Sequence, residues 1–306
     1  MSWLKFGAAA LALSFLGSYG CAVHSSDSKL GSEGSGGSGP ASSTSAMTAT
    51  VGGVGGADFS TSATGAGGEG ECDNLLEVTY RDFSQSHPDF EMSYLGDQVR
   101  RQLVEPLLGE DKRPVFLDSI GCPADPNTQF GCANWKSTEP VIQSAASFDQ
   151  WFHTVDGVNF GFDKTITLTE DPPGSEVYVY DNSGFFPLGP SEGFGVSPIN
   201  NNPEGKNYLF TTEIHLNFTY EAGQVFNFRG DDDLWIFVNN RLALDLGSLH
   251  APAEGAIDFD ALAGALDISP GGAYAMDIFH AERHTTGSNF RIETNISCFT
   301  PVDVPE

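Results

Sequence analysis

Between 207 and 220 the chain reads NYLFTTEIHLNFTY, where Tyr208, Phe210, Ile214, Leu216, Phe218 and Tyr220 alternate with Thr211, Glu213, His215, Asn217 and Thr219. A period of two predicts a strand with one apolar face. The same rhythm recurs at LLEVTY, DKTITLT and EVYVYD, at 225–228 after EAGQ, at Tyr274, Met276 and Ile278, and at Phe290, Ile292, Thr294 and Ile296. LWIFV and RLALDL flank Asn239-Asn240, a pair that tolerates positive φ and so predicts a tight hairpin. Helical spacing is confined to 96–105, 146–153 and 258–266. The expected fold is all-β, an antiparallel two-sheet β-sandwich with long loops and a few short helices.

The first residues, MSWLKFGAAALALSFLGSYGC, place one charge at Lys5 before an apolar run at 6–16. That run is too short to span a bilayer and suits a secretory signal over 1–21. GSYGC resembles a bacterial lipobox, with Cys21 as the lipidation site of a cell-surface (outer-membrane) lipoprotein. Ordinary signal cleavage and an extracellular product are the alternative. Residues 22–70 are almost wholly Gly, Ser, Thr and Ala, a composition that cannot bury enough apolar surface to order itself. As a disordered linker this stretch reaches roughly 35–40 Å. Aromatic and β-branched residues then dominate over 71–300, enough for one domain with its own core, followed by a short tail at 301–306.

Charge narrows the partners. With 14 Lys and Arg against 41 Asp and Glu, the formal net charge is −27, which argues against a nucleic-acid backbone. A membrane partner enters only through an N-terminal lipid. Beyond Cys21 four cysteines remain, and an even number in an exported domain favours disulfides. Cys122 and Cys132 bracket one loop, and Cys72 and Cys298 stand at the two ends of the domain, so the expected pairs are 122–132 and 72–298. A four-thiolate zinc site is the alternative, but no CxxC knuckle supports it.

The stretch FRGDDDLWIFVNNR sets Asp231, Asp232 and Asp233 side by side between two strands. Three adjacent carboxylates repel unless water bathes them or a cation sits among them, so the choice lies between a solvated turn and a cation site. HAERH at 280–284 lacks the glutamate position and the helix of an HExxH zinc site. No GxSxG elbow or phosphate-cradling loop is present. Nothing singles out two acids as a glycosidase pair. His87 and His250 read as structural, Trp235 as core rather than a sugar platform, and Asn217 and Asn295 head glycosylation sequons.

The stretches VTYRDFSQSHPDFE, ASFDQWFHTVDGVN, FNFRGDDDLWIFVNNRLALDLGSLH and DIFHAERHTTGSNFRIET resemble a fibro-slime domain of the PA14-like β-sandwich group, over 78–299. The resemblance implies a bacterial surface protein. It also implies a Ca2+ ion held by two consecutive aspartates joined by a cis peptide, with sugar hydroxyls on the ion. Residue by residue that set is Asp231 and Asp232, with Glu282 by side chain and carbonyls near His284 and Thr286; Asp233 stands where many relatives have Gly. The expected function is therefore non-enzymatic: Ca2+-dependent binding of a glycan or extracellular polysaccharide, in adhesion. The alternatives are a structural slime or fibril matrix protein, and an accessory module or cryptic form of a polysaccharide hydrolase.

Overall fold

The computed structural model describes residues 74–92, 98–133, 139–199, 202–285 and 287–304. The expected signal segment, Cys21, the linker at 22–70 and Cys72 lie outside the described residues, as do Thr286 and the last two residues of the tail.

In chain order the elements are β1 (Leu75–Phe83), β2 (Arg100–Arg101), β3 (Cys122–Pro123), α1 (Ala145–Asp149), β4 (Asn159–Thr167), β5 (Thr169–Glu170) and β6 (Tyr178–Asn182). Then follow β7 (Phe210–Thr219), β8 (Val225–Gly230), β9 (Asp233–Val238), β10 (Arg241–Leu246), β11 (Ala253–Asp258), α2 (Phe259–Leu266), β12 (Ala273–Glu282), β13 (Phe290–Thr294) and β14 (Thr300–Pro301). A seven-stranded antiparallel sheet runs β10-β9-β12-β7-β1-β4, with β14 on β7, and a five-stranded sheet runs β11-β8-β13-β6-β5. The fold is thus an all-β sandwich of two antiparallel sheets. Asn239 and Asn240, at φ 51° and 61°, make the two-residue turn between β9 and β10.

Alternation explains the core between the sheets. Phe210, Ile214, Leu216 and Phe218 of β7 meet Ile236 and Val238 of β9, Met276 and Ile278 of β12, and Phe226, Phe228, Phe290 and Ile292 of the smaller sheet. The other face of the large sheet is covered as well. Trp235, Phe237, Phe279 and Ala281 pack against Phe90, Leu103, Val141, Phe148, Trp151 and Phe152, which come from the long connection between β1 and β4. Every residue of β9 is therefore buried. The sheet is the middle of three layers.

This second layer corrects two sequence expectations. The segment at 96–105 forms no helix among its described residues. Arg100–Arg101 pairs with Cys122–Pro123, Gln102 takes φ 63°, and the Arg100 guanidinium donates to the carbonyls of Ile120 and Glu139. The helix expected at 146–153 ends at Asp149, held at its start by a reciprocal cap between Ser144 and Ser147. Cys122 and Cys132 form the expected disulfide. Cys298 is also disulfide-bonded; its expected partner Cys72 lies outside the described residues. Among the described residues no helix is long and apolar enough to cross a membrane.

The polar face of β7 is also buried at its N-terminal half. Glu213, 3% exposed, is bonded by the guanidinium of Arg81 and by His215 Nε2 at 2.7 Å, and forms an ion pair with Arg113 Nε at 3.2 Å. His215 Nδ1 lies 2.7 Å from Asp277 Oδ1. Burial alone would lower the His215 pKa, but its bonds to Asp277 and Glu213 raise it to about 9 from 6.5. A folded pKa above the unfolded one gives stability that is fully present below about pH 6.5 and is lost as pH rises through 9. Urea unfolding across pH 6 to 10 should show this loss in the wild type and a flatter profile in His215→Gln. Coincident profiles would show that the network carries no pH-dependent stability.

Candidate functional site

The chain passes from the large sheet to the small one, or back, at three connections that meet at one end of the sandwich. Asp231 and Asp232 join β8 to β9, residues 247–252 join β10 to β11, and 283–289 join β12 to β13. Gly230 admits the first of these because a Cβ there would lie 2.6 Å from Phe228 Cε1 and 2.7 Å from the Asn289 carbonyl oxygen. The Asp231–Asp232 peptide is cis.

Each aspartate holds a different connection. Asp231 accepts from the Asn289 backbone N–H at 2.5 Å and from Asn289 Nδ2 at 3.0 Å. Asp232 accepts from the backbone N–H groups of His250 at 3.1 Å and Arg283 at 3.2 Å. Asp233 accepts from Ser248 N at 2.6 Å and from Arg283 Nε at 2.7 Å. Their exposures are 7%, 7% and 0%, so a solvated turn is excluded. Buried carboxylates of this kind are retained where N–H donors meet them.

Arg283 neutralises Asp233 alone. Its guanidinium also donates to the carbonyls of Asp89 and Val141 at 2.9 and 2.7 Å and sits 4.7 Å above the Trp151 ring. Of the remaining acids, the Glu282 carboxyl lies within range of the charges of Asp232 and Asp231. Burial raises the Asp231 pKa above its ordinary value, against its bonds from Asn289. Burial raises Asp232 to about 7, against the pull of the His250 ring and Arg283. Glu282, 1% exposed, is raised well above its ordinary value by burial and then by the charges of Asp232 and Asp231. Glu282 Oε2 and the neighbouring Ser288 Oγ are both buried without a well-formed hydrogen bond. His280, pushed down to about 4 by burial, is neutral at pH 7. Its Nε2–H donates to the Asp231 carbonyl at 2.7 Å and its Nδ1 accepts from the Thr212 hydroxyl at 3.1 Å.

The structure therefore brings together Asp231, Asp232 and Glu282 from the sequence-derived set. His284 stands two residues beyond Glu282, its N–H 3.4 Å from Glu282 Oε1, and Thr286 lies outside the described residues. Sequence reasoning missed Asn289, Arg283 and Ser288. The one signal for Arg283 was a basic residue in HAERH, one of few in so acidic a chain. Among the described residues no three or more His, Cys, Asp or Glu are placed so that they could hold a metal ion. A cation would have to gather these carboxylates, and their all-oxygen chemistry suits a hard one. His87, bonded to Gln150 Oε1 and the Asp89 N–H, and His250, whose ring nitrogens face the Ala251 and Leu246 carbonyls, are structural. Trp235 is fully buried and donates to Asp245.

No family model matches the chain. It is similar to several Dictyostelium discoideum proteins. It is 34% identical to protein psiR over 73% of this chain and 21% of that protein. For protein psiC the figures are 32%, 74% and 42%, and for protein psiD 34%, 75% and 43%. The chain thus spans less than half the length of these curated relatives. A solved anti-sigma factor domain-containing protein aligns over 77% of this chain and 80% of its own at 10% identity, with a TM-score of 0.23, too low to bear on the fold. These relatives correct the resemblance drawn from sequence: the likeness is to a eukaryotic protein family, the psi proteins, and not to a bacterial fibro-slime protein.

The division of labour among the aspartates can be tested without any ligand. Asp233→Asn leaves the Arg283 cation buried and unpaired, which should cost about 3–5 kcal/mol. Asp231→Asn keeps one acceptor for Asn289 and should cost about 1–2 kcal/mol. Urea unfolding in chelator measures both, and equal small costs would contradict the assignment of Arg283 to Asp233.

Proposed function

We propose that the domain is a non-enzymatic binding module in which Asp231, Asp232 and Glu282 gather a Ca2+ ion, and that the ion takes up hydroxyls of a neutral glycan. The observation that carries this reading is the convergence of three buried carboxylates, one of which has an oxygen without a well-formed hydrogen bond. Ca2+ prefers six to eight oxygen ligands. Three side chains leave positions for a ligand's hydroxyls, and Ser288 Oγ stands beside them. A formal charge of −27 disfavours anionic partners and suits a polyol. The Cys122–Cys132 disulfide supports an oxidising, extracellular setting.

A second reading has its own support. Because these carboxylates already tie three inter-sheet connections together, an ion there could serve only to stiffen them, in a matrix protein without a specific ligand. Glycan binding measured with and without Ca2+ separates the two, since only the first gives metal-dependent glycan signals.

Cation binding itself is read by melting temperature. An ion that binds only the folded chain stabilises it by about 2.7 kcal/mol at a hundredfold excess over Kd. The wild type should melt higher in millimolar Ca2+ than in chelator, and Asp232→Asn and Glu282→Gln should each abolish that difference. A wild type that melts alike in both would remove the cation from the account.

A further inference from the structure

The two edges of the large sheet are finished differently. At one edge β10 is closed off. Its pairing with β9 is bulged between Leu242 and Leu244, and Arg241 bridges to Leu107. Leu242 N donates to the Pro106 carbonyl at 3.0 Å, and the Gln129 side-chain amide donates to the Ala243 carbonyl. At the other edge β4 pairs only with β1, in an unbroken register from Asn159 to Thr167. Leu168 N, just past the end of β4, donates to the Asn74 carbonyl on the β1 side. Backbone groups alternate in direction along an antiparallel strand. Those of Phe160, Phe162, Lys164 and Ile166 therefore face β1, and those of Gly161, Asp163, Thr165 and Thr167 point out of the sheet. Among the described residues no other strand takes them up.

Nothing on β4 itself blunts this edge. Edge strands are commonly protected by Pro, a bulge or a projecting Lys. β4 contains no Pro and no bulge. Its one Lys, Lys164, is drawn aside to the Pro187 carbonyl at 2.7 Å and to the Glu192 carboxylate at 2.9 Å. Gly161, Asp163, Thr165 and Thr167 are exposed. Beside them Phe160, 47% exposed, packs on Phe194, 43% exposed, with ring centroids 4.8 Å apart. Apolar surface thus flanks the open backbone.

We propose that β4 is a homodimerisation edge, pairing antiparallel with β4 of a second copy over Asn159–Thr165, with Phe162 on the two-fold axis. The charge pattern of the strand selects this occupant and this register. The outward-pointing residues must oppose one another, since they alone present open N–H and C=O groups. Within the nine residues of β4, three symmetric registers then pair seven or more positions. One sets Asp163 against Asp163 and another sets Lys164 against Lys164, and like charges directly opposite destabilise a strand pair. The third sets Asn159 opposite Thr165, Phe160 opposite Lys164 and Gly161 opposite Asp163, so no like charges meet. In it each exposed Phe160 ring is covered by the partner's Lys164, an aromatic–cation contact. None of these residues belongs to the candidate cation site, so the dimer does not depend on the binding reading.

The test is sedimentation of the full chain in about 0.3 M salt, which screens the −27 charge of each copy. From about 1 to 200 μM the wild type should pass from monomer towards dimer. Thr165→Pro removes a donor that points away from β1, so it should keep the wild-type melting temperature and weaken the dimer about tenfold or more. Under mild oxidation Phe162→Cys should give a dimer linked from 162 to 162. Opposed residues that exchange no hydrogen bonds lie about 4.5 Å apart at Cα, within disulfide reach. Lys164→Cys should give no such link. A wild type that stays monomeric throughout would overturn the proposal. If Thr165→Pro then also melts lower, the edge belongs to another segment of the same chain. A Thr165→Pro protein that associates as tightly as the wild type would overturn it as well. Linking of Lys164→Cys and not of Phe162→Cys would overturn the register.

Discussion

The buried Asp233–Arg283 pair is the contact on which the rest of the arrangement depends. Asp233 begins β9 and Arg283 follows β12 directly, so the pair fixes the end of the large sheet. Through its other donors Arg283 reaches the Asp89 and Val141 carbonyls and lies over Trp151, so it pins the third layer to the same point. Both partners are fully buried. Such a pair returns little net stability over a well-packed apolar one, yet losing one partner is costly. Its structural effect is selection: Asp233 alone has the guanidinium as a direct ion-pair partner, while Asp231 and Asp232 are met by N–H donors instead.

The sandwich was legible in the sequence because its strands alternate. The large-sheet strand at Phe210–Thr219, the Asn239-Asn240 hairpin and the last two long strands all stand where period two and turn chemistry place them. The third layer was not legible. Thr211 and Glu213 look like a solvent face, and only the fold shows that Trp151 accepts the Thr211 hydroxyl at its carbonyl and that Arg81, Arg113 and His215 surround Glu213. Residues 98–105 have helix-like spacing but feed Leu103 and Val104 into that layer from extended backbone. Local propensity lost to tertiary burial.

At the site, the paired aspartates and Glu282 could be named from the sequence, but their separate duties could not. Nothing in the run Asp231, Asp232, Asp233 says that the third is an ion-pair partner, because Arg283 is 50 residues away. The same holds for Asn289, whose backbone and side chain together satisfy Asp231. The sequence motifs also pointed to a bacterial fibro-slime domain, whereas the relatives found are the Dictyostelium psi proteins. The functional account therefore stands on geometry: buried like charges, and the N–H donors that meet them at this fold's crossings.

The central claim is that Asp231, Asp232 and Glu282 form one hard-cation site. Calorimetric titration of the chelator-stripped protein with Ca2+ tests it most directly. The account predicts saturable binding of one ion per chain, weakened severalfold or more by Glu282→Gln and by Asp232→Asn. A wild type that binds no Ca2+, or a Glu282→Gln protein that binds it as tightly as the wild type, would contradict the claim.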